Sequence, residues 1–406
     1  MRSSMRPWKA IVAGLIGVMS AGQAQAQIRT KIGVLNDRSG VYADITGEGS
    51  AAAARMAVED FKAREKGIEV TVVGADHQNK PDVGANVART WYDKDGVDVI
   101  VDVPTSSVAL AVNEITREKN KILLVSGGGT SDLTGKACSP NTIHWTFDTY
   151  ALSRGTGGAM VRGGDDTWFF VTADYAFGHA LERDTEAVVM QAGGKVVGKV
   201  RHPFPGQDFS SFLIQAQGSG AKVIGLANAG GDTINAIKQA KEFGITQGGQ
   251  KLAGLLVFSS DIQAIGLDVA QGLVLTEAYY ADLNDKTRDF AERFARAYQG
   301  RLPTSVQAGV YSSVLHYLKA VQAAGTKEAG PVLAKMKQMP TDDPVLGTGS
   351  IREDGRKMHD MYLFQVKTPA ESKGRNDIYK LVAKIPPEQA FRPLAESQCR
   401  LVARSQ

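Results

Sequence analysis

Ile122-Leu123-Leu124-Val125-Ser126-Gly127-Gly128-Gly129-Thr130-Ser131-Asp132-Leu133 changes character partway: four apolar residues give way to a serine, three glycines and two more hydroxyls. An apolar run without polar alternation reads as a strand buried on both faces. The glycines after it carry no Cβ, so backbone N–H groups there can approach a ligand closely, and Ser126, Thr130 and Ser131 add hydroxyl donors. Such a strand end suits a small anion. A Gly-rich turn also serves where a chain needs positive φ or close packing, so the reading depends on its surroundings.

Upstream, residues 31–35, 70–74 and 97–101 are further apolar strands. Helices alternate with them. The first covers residues 50–65 with Met56, Ala57 and Phe61 on one face; the second is capped by Asp82 and aligns Val83, Val87 and Trp91. Pro104-Thr105-Ser106-Ser107 introduces a third, with Val108, Val112 and Ile115 inward. This alternation predicts a parallel sheet covered on both faces, with ligands held beyond the carboxyl ends of its strands. Polar segments 36–39, 76–79, 104–107 and 126–131 all follow strands.

Downstream the plan repeats, with strands at 168–172, 195–200, 223–227 and 252–258 and helices at 176–191, 208–217 and 232–243. Asp174-Tyr175-Ala176-Phe177, Asn228-Ala229-Gly230-Gly231 and Ser259-Ser260-Asp261 follow three of these strands. Two sheets, each with a polar edge, predict two lobes facing each other. A strand at 273–276 and helices at 288–298, 305–323 and 332–337 come next, then an antiparallel pair at 362–366 and 378–383.

Residues 1–26 read as a cleavable signal peptide: Arg2, Arg6 and Lys9, an apolar run over 10–22, and Ala24-Gln25-Ala26 as the small-x-small site. No cysteine stands near the junction to take a lipid, so the mature chain is expected to be soluble in the bacterial periplasm. The formal net charge of +4 includes the three leader cations. What remains is nearly neutral and scattered, which offers no electrostatic footprint for nucleic acid. No later apolar run is long enough to span a bilayer, so any transport role needs a separate membrane partner. A chain of 406 residues more naturally makes two domains than one. Cys138 and Cys399 are its only cysteines, and in an oxidising compartment they form either one disulfide or two buried thiols.

An enzyme would need a reacting group. His77, His144, His179, His202, His316 and His359 form no spaced metal pair, and no serine sits in a nucleophile elbow. Gly47-x-Gly49-x-x-Ala52 imitates a dinucleotide fingerprint but lies too far beyond its strand, and Gly135-Lys136-Ala137 is not a phosphate-binding loop. No catalysis, metal or cofactor is expected.

Taken in order, Asn36-Asp37-Arg38-Ser39-Gly40, Gly47-Glu48-Gly49, Pro104-Thr105-Ser106-Ser107, residues 126–133 and Asp174-Tyr175-Ala176-Phe177-Gly178 resemble the periplasmic solute-binding proteins of branched-chain amino-acid ABC transporters, the Leu/Ile/Val-binding class. The resemblance covers nearly all of the mature chain. It implies the type I periplasmic binding protein fold: α/β, two Rossmann-like lobes with parallel sheets joined by a three-strand hinge. It divides the chain into residues 27–148 and 279–349 in the first lobe and 149–278 and 350–406 in the second. It further implies a small carboxylate ligand, amino acid or aromatic acid, trapped by hinge closure of a monomer and offered to a membrane permease. A sensor subunit presenting its bound state to a receptor is the alternative. Ser106, Ser107, Gly128 and Thr130 are then the first-lobe groups holding the carboxylate, and Tyr150, Tyr175 and Asn228 line the cleft near or across the hinge. Asp261 is the candidate partner of a ligand amine. Tyr42, Tyr150, Tyr175 and Phe177 suit a flat or apolar ligand body.

Overall fold

The computed structural model describes residues 27–402, so the expected signal peptide lies outside the described residues. Strands β1 (Ile28–Asn36), β2 (Ile68–Asp76), β3 (Val99–Asp102), β4 (Ile122–Val125) and β5 (Thr142–His144) form one all-parallel sheet in the order β2-β1-β3-β4-β5. Every residue of β3 and β4 is buried, as continuous apolar runs require when helices cover both faces.

A second sheet takes β6 (Thr167–Ala173), β7 (Lys195–His202), β8 (Val223–Ala227), β9 (Lys251–Gly254) and β10 (Val274–Glu277). Its partners arrive late in the chain. After a small antiparallel sheet of β11 (Thr341–Asp343), β12 (Gly347–Ile351) and β13 (Lys357–Met358), strand β14 (Met361–Val366) joins antiparallel to β10 and β15 (Tyr379–Ile385) antiparallel to β14, giving β15-β14-β10-β9-β8-β6-β7. The small sheet touches the first through a bridge between Arg356 and His144.

Two local differences from the sequence reading have physical causes. The strand expected over 252–258 ends at Gly254, because the chain turns there into the helix Ser259–Ile265. Asp82 is not the cap of its helix: Pro81, with its preset φ, occupies the first turn and Lys80 precedes it. The helix Ser305–Ala324, begun by a reciprocal Thr304–Gln307 capping box, is buried almost all round and packs on the helix Gly47–Phe61 and on β3, so residues between β10 and β11 complete the first lobe. Cys138 and Cys399 are joined in a disulfide that ties the end of the chain to the first lobe.

Candidate functional site

The carboxyl ends of the two sheets face each other across a cavity of about 20 Å³. From the first lobe it is lined by Tyr42, Ile45, Pro104, Gly127 and Val306. Tyr175, Phe177, Ala229, Leu256 and Phe258 close it from the second. A space of this size holds about one water, so the lobes are closed on each other.

The glycine triplet sits at the contact. Gly127 lines the cavity, while a Cβ on Gly129 would come within 2.8 Å of the Phe177 ring across the cleft. Gly128 faces the other way: its Cβ would meet the Val103 carbonyl at 2.7 Å, and its own carbonyl accepts from His144 Nε2 at 2.6 Å. Ser106, the first residue of the helix Ser106–Glu118, accepts through Oγ from the Thr130 N–H at 3.1 Å, and Thr130 Oγ1 accepts from the Asp132 N–H at 3.3 Å. Ser106, Gly128 and Thr130 therefore form one buried patch at the helix N-terminus, with half-buried Ser107 beside it. Backbone N–H groups of a first helical turn point out of the helix and favour an anion.

Leading into this patch, Asp102 and Val103 have φ of 83° and 50°, in the left-handed region that β-branched residues avoid. Strain of about 1–3 kcal/mol per residue is held at the very turn that delivers Pro104 to the cavity. Asp102 is fully buried; Oδ2 accepts from Asn36 Nδ2 at 3.0 Å and Oδ1 has no partner. Burial pushes its carboxyl up to about 7.

Aromatic rings dominate the rest. Tyr42 and Tyr175 meet hydroxyl to hydroxyl at 2.5 Å, one from each lobe, and Phe204 stacks on Tyr175 with ring centroids 4.0 Å apart. Burial raises both phenols far above their usual range. Phe204 reaches this position on the loop after β7 and also stacks on Tyr42 at 5.7 Å.

Of the second-lobe residues expected to meet a ligand, Tyr175 lines the cavity and Asn228 stands next to the lining Ala229. The Asn228 amide is spent within its lobe: Nδ2 donates to His202 Nε2 at 3.1 Å and Oδ1 accepts from Thr233 Oγ1 at 2.6 Å. Two expected contacts lie elsewhere. Tyr150 packs under the Arg392 guanidinium, 4.8 Å from its ring centroid, in a separate groove with Ser131, Arg183 and Asp184, because the C-terminal segment covers that face. Asp261 accepts from the Phe258 N–H at 2.9 Å as the cap of its own helix and is buried, which pushes it up to about 7. Phe204, Leu256, Phe258, Val306 and the buried Asp232 were not singled out from sequence.

Two α/β lobes, with parallel sheets whose carboxyl ends enclose one small chamber, define a two-lobed solute-binding protein. The chain belongs to the periplasmic binding protein family, whose model matches residues 29–375; members bind solutes and are not enzymes. It is similar to a periplasmic binding protein from Burkholderia mallei, with 51% identity, TM-score 0.90, and coverage of 93% of this chain and 99% of that one. A branched chain amino acid ABC transporter periplasmic ligand-binding protein from Burkholderia xenovorans LB400 is 40% identical, with TM-score 0.83 over 92% of this chain and all 100% of that one. A Leu/Ile/Val-binding protein homolog 6 from Brucella melitensis biotype 1 is 28% identical over 367 residues, 88% of this chain and 92% of that protein. Among the described residues, no helix is long and apolar enough to cross a membrane.

Proposed function

We propose that this protein is the periplasmic substrate-binding subunit of an ABC uptake transporter, taking a small carboxylate between its lobes and delivering it, as a monomer, to a membrane permease. The observation that carries the reading is one chamber in which Pro104 and Gly127, the neighbours of the Ser106 patch, meet aromatic rings from both lobes. Burying a carboxylate is costly unless several donors meet it, and the Ser106, Ser107, Gly128 and Thr130 patch supplies hydroxyls and backbone N–H groups at one end. Tyr42, Tyr175, Phe177 and Phe204 supply apolar surface for the ligand body, which favours a branched-chain or aromatic acid over a sugar or a metal.

On this reading the lobes divide near residues 148, 278 and 349, open by bending there, and close over the ligand as the Tyr42 and Tyr175 rings part to admit it. Calorimetry and thermal-shift screening against branched-chain amino acids and aromatic acids test it, with Ser107→Ala and Thr130→Ala as controls. Binding of at least one acid, weakened in both variants, supports the assignment. Saturable binding of a neutral sugar and of no acid would overturn it.

A further inference from the structure

Asp232 is the second residue of the helix Gly231–Glu242, whose N-terminus meets the first lobe. The Gly231 N–H donates to the Val41 carbonyl at 3.2 Å across the cleft. At Gly230, φ is 58° and a Cβ would lie 2.5 Å from the Val41 carbonyl and 2.9 Å from the Tyr42 ring. The preceding Ala229 lines the chamber. Asp232 thus follows directly on the segment that forms the chamber wall.

Its carboxyl is 1% exposed and only half satisfied. Oδ1 accepts from the Gly206 N–H at 3.0 Å, while Oδ2 has no hydrogen-bond partner. The nearest ring nitrogen, His202 Nδ1, lies 3.9 Å from Oδ2 and is already committed to the Pro203 carbonyl at 2.9 Å. The other polar groups that feel this carboxyl are the Tyr42 and Tyr175 hydroxyls, both of which line the chamber and are occupied with each other. A buried acceptor without a donor is costly, and a ligand that brings the donor recovers that cost on binding.

Resting on the carboxylate reading above, we propose that Asp232 accepts a hydrogen bond from a donor group of the ligand other than its carboxyl. The site then takes a small acid bearing a hydroxyl or ammonium, and rejects the same skeleton without it. A site built to pair a donor discriminates strongly against the analogue lacking one, because the protein group is then left buried and alone.

Two matched pairs read this by calorimetry: 4-hydroxybenzoate against benzoate, and leucine against 4-methylpentanoate. In the unaltered protein the donor-bearing member of at least one pair is expected to bind at least about tenfold more tightly, and which pair does so separates a hydroxyl from an ammonium. Asp232→Asn keeps an oxygen for Gly206 and replaces the free acceptor with an NH2; the ratio should fall to near one while the melting temperature stays close to that of the parent. A ratio near one in both pairs of the unaltered protein, or a ratio unchanged in Asp232→Asn, overturns the proposal and leaves the carboxylate reading standing. Binding of none of the four acids brings down both.

Discussion

Ser131 of the first lobe donates through Oγ to Asp184 Oδ2 of the second at 2.6 Å. The same oxygen accepts from Thr149 Oγ1 at 2.6 Å, and Arg183 Nε and Arg392 Nη2 approach the other oxygen at 3.0 and 3.4 Å. Asp184 is thus a buried carboxylate shared by the Ser131 loop, the Thr149 turn and the C-terminal strap.

Asp184→Ala is therefore expected to do more than remove one contact. It leaves two hydroxyls and the Arg392 guanidinium without this acceptor, while Arg183 keeps Asp132, and breaking a buried charged pair costs about 3 kcal/mol at the lower end, fitting here because both arginines are partly exposed. Urea unfolding measures it; a loss under about 1 kcal/mol would show that Asp184 is not a hub.

The strap that carries Arg392 is held at its far end by Cys138–Cys399, 261 residues apart in sequence. A cross-link closing so long a loop restricts the unfolded chain, and its removal typically costs about 2–4 kcal/mol. Cys138→Ser with Cys399→Ser should lower the urea midpoint and make it insensitive to reductant, whereas the parent loses stability when reduced. A free-thiol assay on denatured, unreduced protein should find no reactive thiol in the parent.

Much of this architecture is legible in the sequence, because most of the buried parallel strands are apolar runs followed by polar or glycine residues, as β4 is. The triplet at residues 127–129 was found for the same reason. The short β5, Thr142-Ile143-His144, is buried without being an apolar run and carries no such signal. What escaped has a different character. Phe204 sits in a loop after the edge strand β7, where no periodicity marks a ring as facing a cleft. The positive φ of Asp102 and Val103 is imposed by packing, and neither residue type advertises it. Ser259-Ser260-Asp261 fits a helix cap as well as a ligand contact, and the cap is what burial at the Phe258 N–H selects. Tyr150 is hidden by a C-terminal strap that lies far away in sequence.

Glu277 closes β10 and joins three segments: Oε2 accepts from Ser305 of the first lobe at 2.9 Å and Oε1 from Tyr379 of β15 at 3.0 Å. Burial pushes its carboxyl from 4.5 up to about 8. Across that window the folded protein keeps a proton that the unfolded chain has lost, so unfolding free energy falls as pH rises and levels off above about 8. Asp102, Asp232 and Asp261, each pushed from 3.8 up to about 7, act in the same direction over a lower range. Glu277→Gln keeps an acceptor and cannot ionise. It should raise the urea midpoint at pH 8 and leave it nearly unchanged at about pH 5; equal shifts at both would exclude proton linkage at this residue.

Gly129 tests closure itself. Its φ lies outside the positive region, so alanine or valine fits the backbone, and the obstacle is a Cβ 2.8 Å from Phe177 Cε2 and 3.3 Å from Phe147 Cε2. Phe177 belongs to the other lobe, so the closer clash exists only when the lobes meet, and opening relieves it, while the 3.3 Å contact with Phe147 of the first lobe asks for a shift of only a few tenths of an ångström. Gly129→Val should therefore unfold near the parent's urea midpoint yet bind its ligand at least about tenfold more weakly, with a larger radius of gyration by small-angle scattering in the presence of saturating ligand. A compact, tightly binding Gly129→Val protein would mean that Phe177 swings aside at little cost and that this contact does not limit closure.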